Sequence, residues 1–277
     1  MSVESNRARG RAGVLAGALA AAVVGGVVAA LAACSSRPHV VLPPADAVNV
    51  KPQPKLAAEY NVQLGIAYMQ RGDLAFAQRK LLLARKENPR SPTVHGTLAL
   101  LYERLGDIKS ADREFHEALR LAPRDPDISN NYAVYLCRTN RIDQGVERLV
   151  ATARDPLYNT PAAAYTNAAV CLSTVHRDAE AKSYLGLAIK LQPGFEEAVF
   201  QLANLELRGG DLADARAAVD HYIHSYTETP ELLALGARIA HAQRDPVGEQ
   251  HYKERLRVDF PNSPQTRALV SSDPNPG

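Results

Sequence analysis

Tryptophan is absent from the 277-residue chain, cysteine occurs three times, and aromatic residues make up only 6%. So few cysteines exclude a disulfide-dense miniprotein. With 17 glycines and 18 prolines there is no collagen-like repetition, and 46% hydrophobic residues exclude disorder throughout. The chain also has no Gly-x-Ser-x-Gly elbow, Walker loop, dinucleotide-binding glycine fingerprint or His-Glu-x-x-His. The common nucleophile, phosphate and zinc sites therefore have no footing, and a non-enzymatic protein without cofactor or metal is expected. His221 and His224, three apart on one predicted helix face, have no obvious third ligand and read as structural or solvated. Charge of one sign is lacking as well. There are 32 Lys and Arg against 30 Asp and Glu, and Arg7, Arg9, Arg11 and Glu4 all stand in the first 33 residues, so the remainder sums to zero. A neutral chain lacks the basic excess that phosphate backbones require, so no nucleic-acid partner is expected.

What the sequence does have begins with an address. Three arginines precede an almost unbroken apolar run from Val14 to Ala33, a charged segment followed by a hydrophobic one. The run ends in Leu31-Ala32-Ala33-Cys34, which resembles the lipobox of bacterial lipoprotein signals. That resemblance implies cleavage after residue 33 and acylation of Cys34. Each buried acyl CH₂ contributes about 0.8 kcal/mol, so several chains hold a domain at a membrane without a spanning helix. Ser35 follows the cysteine where an Asp would favour inner-membrane retention. The expected location is the periplasmic face of a Gram-negative outer membrane. Residues 34–57, with prolines at 38, 43, 44, 52 and 54, read as a lipidated cysteine and an extended tether. About 20 such residues reach roughly 60 Å.

The rest carries one repeated pattern. Pro89, Pro123, Pro193 and Pro261 are separated by 34, 70 and 68 residues, a 34-residue period with one two-residue insertion. This is the period of the tetratricopeptide (TPR) helix-turn-helix repeat. Repeats starting near 58, 92, 126, 162, 196 and 230 place all four prolines at position 32, where they stop the second helix. The two helices of such a pair, A and B, cross closely, and the crossing demands small residues. Position 8 holds Gly65, Ala99, Ala133, Ala169, Ala203 and Ala237, and position 20 holds Ala77, Ala111, Gly145, Ala181 and Ala215, with only Glu249 departing. Ala and Gly together make up about a fifth of the chain, so this recurrence is not compositional. Larger residues such as Leu64, Leu98 and Tyr132 at position 7, and Leu81, Phe115 and Leu149 at position 24, give each helix one apolar stripe. Gly72-Asp73, Gly106-Asp107 and Gly210-Asp211 supply a positive-φ turn and a cap for the next helix, with Asn140 in the same place in the third repeat. Arg71-Gly72-Asp73 is therefore a turn and cap, despite its likeness to an adhesion tripeptide. The expected architecture is an all-α TPR solenoid, a right-handed superhelix of about six repeats over 58–270. The sixth repeat would act as a terminal cap, because Glu249 and Lys253 stand at normally apolar positions, and 271–277 would form a disordered tail.

Cys137 and Cys171 fall at positions 12 and 10 of the third and fourth repeats. Two residues turn about 200° around a helix, so the pair is expected as two free, half-buried thiols. Partner binding is expected on the face lined by A helices, at positions 2, 5, 9 and 12. Val62, Ile66 and Met69 from the first repeat, with Leu100, Val134 and Val170, either pack between neighbouring A helices or form a groove for an apolar segment of another protein. Glu59, Glu103, Asp127 and Asn130 would rim that groove. A chaperone-type carboxylate clamp is not expected, because Val62, Ile66 and Asp127 stand where cations and Asn are needed and only Asn131 fits.

The order of lipobox, tether and six repeats resembles the PilF/PilW family of type IV pilus biogenesis lipoproteins, the pilotins of the pilus secretin. Local agreement is closest at Asn130-Asn131-Tyr132-Ala133 with Tyr135-Leu136, at Asp155-Pro156-Leu157-Tyr158 in the insertion, and from Leu256 to Pro261. Ala133 replaces the glycine usual in that family and keeps a small residue. The resemblance implies an assembly factor, expected as a monomer, that binds secretin subunits and promotes their outer-membrane localisation and multimerisation. The alternative is a TPR scaffold lipoprotein serving β-barrel assembly or cell-wall enzymes.

Overall fold

The computed structural model describes residues 53–272, and Cys34 with its flanking segments lies outside them. Among the described residues there are thirteen α-helices and no strand. The first twelve pair in sequence: α1 (Pro54–Arg71) with α2 (Leu74–Glu87), α3 (Pro92–Arg104) with α4 (Ile108–Leu121), and α5 (Pro126–Arg138) with α6 (Ile142–Ala153). The series continues through α7 (Pro161–Ser173) and α8 (Asp178–Leu191), α9 (Glu196–Gly209) and α10 (Leu212–Ser225), and α11 (Pro230–Ala242) and α12 (Pro246–Asp259). A single helix, α13 (Pro264–Ser272), follows. Each odd-numbered helix packs on its own partner, on the preceding pair and on the next odd-numbered helix, as the nearest-neighbour logic of a TPR solenoid requires.

Local chemistry sets the boundaries. Proline occupies the first turn of α3, α5, α7 and α11, where its missing N–H costs nothing. Ser91, Asp125 and Thr229 accept hydrogen bonds from the first-turn amides of α3, α5 and α11. Gly72, Gly106 and Gly210 turn between helices with φ of 82°, 75° and 86°, and Asn140 does the same at 63°. Asp107 then caps α4 through its carboxylate, accepting from the Ser110 amide at 3.0 Å. Asp73 and Asp211 make no such side-chain bond. Asp211 ion-pairs with Lys182 instead.

The helix crossings are as tight as the small residues imply. Ala77, Ala99, Ala111, Ala133, Ala169, Ala181, Ala203 and Ala215 are all completely buried. At Gly65 a Cβ would stand 2.6 Å from Leu81 Cγ, so no larger residue fits without displacing that leucine. The sixth pair solves the crossing differently. The Tyr252 ring lies where a Cβ on Gly236 would sit, only 2.5 Å away, so α12 turns its tyrosine inward and Glu249 outward, to Lys253 and His241.

The structure moves three of the expected boundaries. The first helix begins at Pro54, inside the segment read as tether, because a proline at the first helical position starts a helix as readily as it extends a chain. Helix α7 begins at Pro161, one residue before the repeat start near 162, while the register set by Ala169 and Ala181 is kept. Beyond the sixth pair stands α13, the last helix among the described residues, which takes in residues 271–272; the rest of the expected tail, 273–277, lies outside them. Its buried Thr266 donates to the carbonyls of Leu256 and Phe260 at 3.0 and 2.7 Å.

The expectation of two free thiols is corrected. Cys137 and Cys171 form a disulfide, with Cα atoms 5.6 Å apart. Helices that lie side by side meet through opposite flanks, so a large rotation between two register positions is what lateral contact requires rather than what prevents it. Gly145 belongs to the same arrangement, because a Cβ there would come within 2.5 Å of Cys137 Sγ and 2.8 Å of the Ala133 carbonyl oxygen.

The first and second repeats are joined by a buried polar cluster. His95 Nδ1 lies 2.6 Å from Glu114, His95 Nε2 lies 2.9 Å from the Pro89 carbonyl, and Arg85 donates to the other Glu114 oxygen at 2.8 Å. Both ring nitrogens face acceptors, which selects the imidazolium. The Glu114 hydrogen bond raises the His95 pKa above its ordinary 6.5, against the opposing effect of burial.

Two expectations follow. Replacing both Cys137 and Cys171 by serine opens a loop of sequence separation 34 and should lower stability by about 3–4 kcal/mol on the chain-entropy account. Gly145→Ala should cost about 1–3 kcal/mol by overpacking. Urea melts with and without reductant measure both, and identical curves would mean the bridge does not form. The second concerns pH. A histidine that holds its proton more tightly when folded stabilises the fold fully below pH 6.5, and that contribution fades as pH rises through the raised value. His95→Gln should therefore destabilise by about 2 kcal/mol at pH 6 and by clearly less at pH 9. A penalty independent of pH would show that the ring is neutral.

Candidate partner-binding groove

The odd-numbered helices run parallel, so residues at the same repeat position form rows across the stack. Positions 2, 5, 6, 9, 12 and 13 are spaced three and four apart and share one face. Hydrogen bonds between neighbouring repeats run along or between these rows. Asn130 Oδ1 accepts from Asn167 Nδ2 at 3.2 Å, Glu103 accepts from Arg138 at 3.4 Å, and Asn204 accepts from Arg238 at 3.4 Å.

The structure divides the residues expected to line the groove. Val62 and Met69 are buried, 5% and 6% exposed, in the core shared by the first two repeats with Leu81, Leu98 and Leu101. They are corrected from groove to core, because that edge of α1 is turned onto α3. The row at position 9 remains. Its outer members Ile66 and Val170 are 38% and 40% exposed, whereas Leu100 and Val134 are half-buried against the cores on either side. One row thus holds both exposed apolar residues and residues packed between repeats. After Val170 the row turns polar, at Asn204 and Arg238. Glu59 and Asp127 are exposed at one rim, while Glu103 is held against Arg138.

A second rim was not anticipated. Arg104, Arg138 and Arg208 occupy position 13 and are exposed, and Arg104 donates to the Met69 carbonyl at 2.7 Å. The repeat register already aligned them, so the signal was there to be read. Two clefts were also unforeseen. One of about 540 Å³ lies between α5 and α6 and is lined by Arg124, Asp125, Glu147 and Arg148, with the Arg148 guanidinium 5.2 Å above the Tyr132 ring. The other, of about 500 Å³, is mainly apolar and lies among α9, α11, α12 and α13. Deeper in α9, Glu206 is buried with one carboxylate oxygen unpartnered, and burial pushes its pKa up while Lys182 pulls it back. His221 and His224 are exposed on α10. Among the described residues, no three His, Cys, Asp or Glu are placed to hold a metal ion. The face offers contact area with an apolar centre and charged margins, which suits the recognition of another chain.

Comparison with known proteins agrees with this reading of the fold. The tetratricopeptide repeat family matches residues 92–125 and, through a second profile, 179–239. The type IV pilus assembly protein PilF of Pseudomonas aeruginosa is 26% identical over 207 residues, covering 75% of this chain and 82% of that protein. The solved structure of P. aeruginosa PilF superposes with a TM-score of 0.59 at 24% identity, over 79% of this chain and 99% of its own. That of PilW, described as a widely conserved type IV pilus biogenesis factor, does so with a TM-score of 0.61 at 27% identity, over 77% and 98%.

The contrast along position 5 and position 9 can be measured. Val62→Asp should cost more than about 3 kcal/mol by burying an unpaired charge. Ile66→Asp and Val170→Asp should each cost at most about 1 kcal/mol, as half-exposed positions do. Thermal melts of the three variants decide it, and equal losses would put the whole row in the core. In repeat register and crossing chemistry the chain is a tetratricopeptide repeat solenoid, similar over most of its length to PilF and PilW.

Proposed function

We propose that the protein is a non-enzymatic assembly factor of type IV pili, anchored to the periplasmic face of the outer membrane through lipid on Cys34. Its groove binds secretin subunits and promotes their localisation and multimerisation. The observation that carries this reading is the likeness to PilF over three quarters of the chain. Two features of the chain support the compartment. The Leu31-Ala32-Ala33-Cys34 sequence fits a lipoprotein signal, and the Cys137–Cys171 disulfide fits an oxidising environment such as the periplasm. The secretin as partner rests on the family resemblance, and the apolar row between charged rims supports protein recognition in general.

Deleting the gene should remove heat-stable secretin multimers and surface pili. The wild-type gene should restore both, and Cys34→Ala should restore neither in full while leaving a folded, mislocalised protein. Ile66→Asp combined with Val170→Asp should keep the fold and lose co-purification with the secretin from membranes. Undisturbed multimers in the deletion strain would defeat the proposal. Permeability defects with intact piliation would point to the scaffold alternative.

A further inference from the structure

The two rims of the groove carry opposite charge, and this constrains what can lie between them. All odd-numbered helices start at one edge of the face and end at the other. The macrodipole favours acids near helix N-termini and bases near C-termini, so parallel helices sort their charges into two lines. Exposed Glu59, Asp127 and Glu197 stand at position 2, and exposed Arg104, Arg138 and Arg208 at position 13. Eleven residues at 1.5 Å put the lines about 16 Å apart. A single extended strand is too narrow to meet both lines at once. An α-helix with its side chains is about 10–12 Å across and, with long charged side chains on its flanks, can reach both. The apolar row crosses three helix spacings from Ile66 to Val170, roughly 25–30 Å at usual interaxial distances, the length of a helix of about 18–20 residues.

We infer that the groove takes an amphipathic α-helix of the partner, seated on its apolar stripe, with Lys or Arg along the flank facing Glu59 and Asp127 and Asp or Glu along the flank facing Arg104 and Arg138. Because one flank must be basic and the other acidic, the rims also fix the direction in which the helix lies. This deepens the proposed function and rests on the groove being the binding face. Residues 34–277 are neutral in sum, so neither a uniformly basic nor a uniformly acidic peptide is drawn in by net charge.

The test uses three helical 20-residue peptides with the same leucine stripe, one flanked by Lys on one side and Glu on the other, one by Lys on both, one by Glu on both. A fourth carries prolines that keep the split composition extended. Fluorescence anisotropy against the purified full chain should show the split helix binding about tenfold tighter than either uniform helix, as several exposed ion pairs provide. The extended peptide should bind worst, and the preference should vanish near 1 M salt. Arg104→Glu with Arg138→Glu should leave the circular dichroism unchanged and transfer the preference to the all-Lys helix. Equal affinity for the three helices, no binding of the split helix, or equal binding of the extended peptide would overturn the inference. If flank preference is absent while Ile66→Asp with Val170→Asp still loses the secretin, only the helix inference fails. If that double variant keeps the secretin, the groove itself is the wrong site.

Discussion

The close crossing of two helices within each pair is the constraint from which the rest of the molecule follows. Alanine or glycine where the helices touch lets the backbones approach, and larger residues one turn away then interdigitate, as Leu81 does over Gly65. A pair so formed buries one face only, and it must stack. The buried clusters overlap along the chain accordingly. One joins the first and second repeats, another the second and third, a third runs from the third to the fifth, and a fourth from the fifth to the end. No site enclosed by the fold arises from such a stack, and the features available to a partner are rows on its surface.

The crossing also explains how much could be read in advance. Position 8 in all six repeats, and position 20 in the first five, hold only Ala or Gly because two backbones meet there, so the helix pairs and their order were legible down to the turn residues Gly72, Gly106, Asn140 and Gly210. What failed was lateral. Whether Val62 faces solvent or α3 depends on how far one pair is rotated against the next, and a register within one repeat carries no information on that rotation. The same limit hid the disulfide. Glycine at position 20 occurs only in the third repeat, at Gly145, and it makes way for a sulfur in place of a methyl. Read beside a cysteine eight residues earlier, that departure was a signal. The sixth repeat broke the pattern at Glu249 for another reason, because Tyr252 on Gly236 supplies its crossing and α13, rather than the repeat itself, is the last helix among the described residues.

Each junction between repeats is fastened by different chemistry, and this makes a generic repeat into a particular surface. The His95–Glu114–Arg85 cluster joins the first to the second. Aromatic packing of Phe115 with Tyr132 and Tyr135, backed by an Arg141–Asp112 ion pair at 2.9 Å, joins the second to the third. The disulfide joins the third to the fourth. Between the fourth and fifth the exposed Lys182–Asp211 pair and the Tyr222 hydroxyl, which donates to the Gly194 carbonyl at 3.3 Å, add to the apolar core beneath them, and between the fifth and sixth Arg216 pairs with Asp245 and Arg255 with Glu228.

A groove assembled from one row per repeat takes its curvature from the sum of those junctions. The apolar stretch from Ile66 to Val170 spans the first three junctions, and the row turns polar at Asn204, beyond the fourth. The apolar part of the row thus falls in the first four repeats. A pre-organised face loses less conformational entropy on binding, and so returns more affinity from a modest contact area. The half-buried Leu100 and Val134 take part in both tasks, holding adjacent repeats together and flooring the groove between Ile66 and Val170. On the proposed function, partner recognition is therefore tied to stacking itself: a change that rotates one repeat against the next breaks the row before it unfolds the chain.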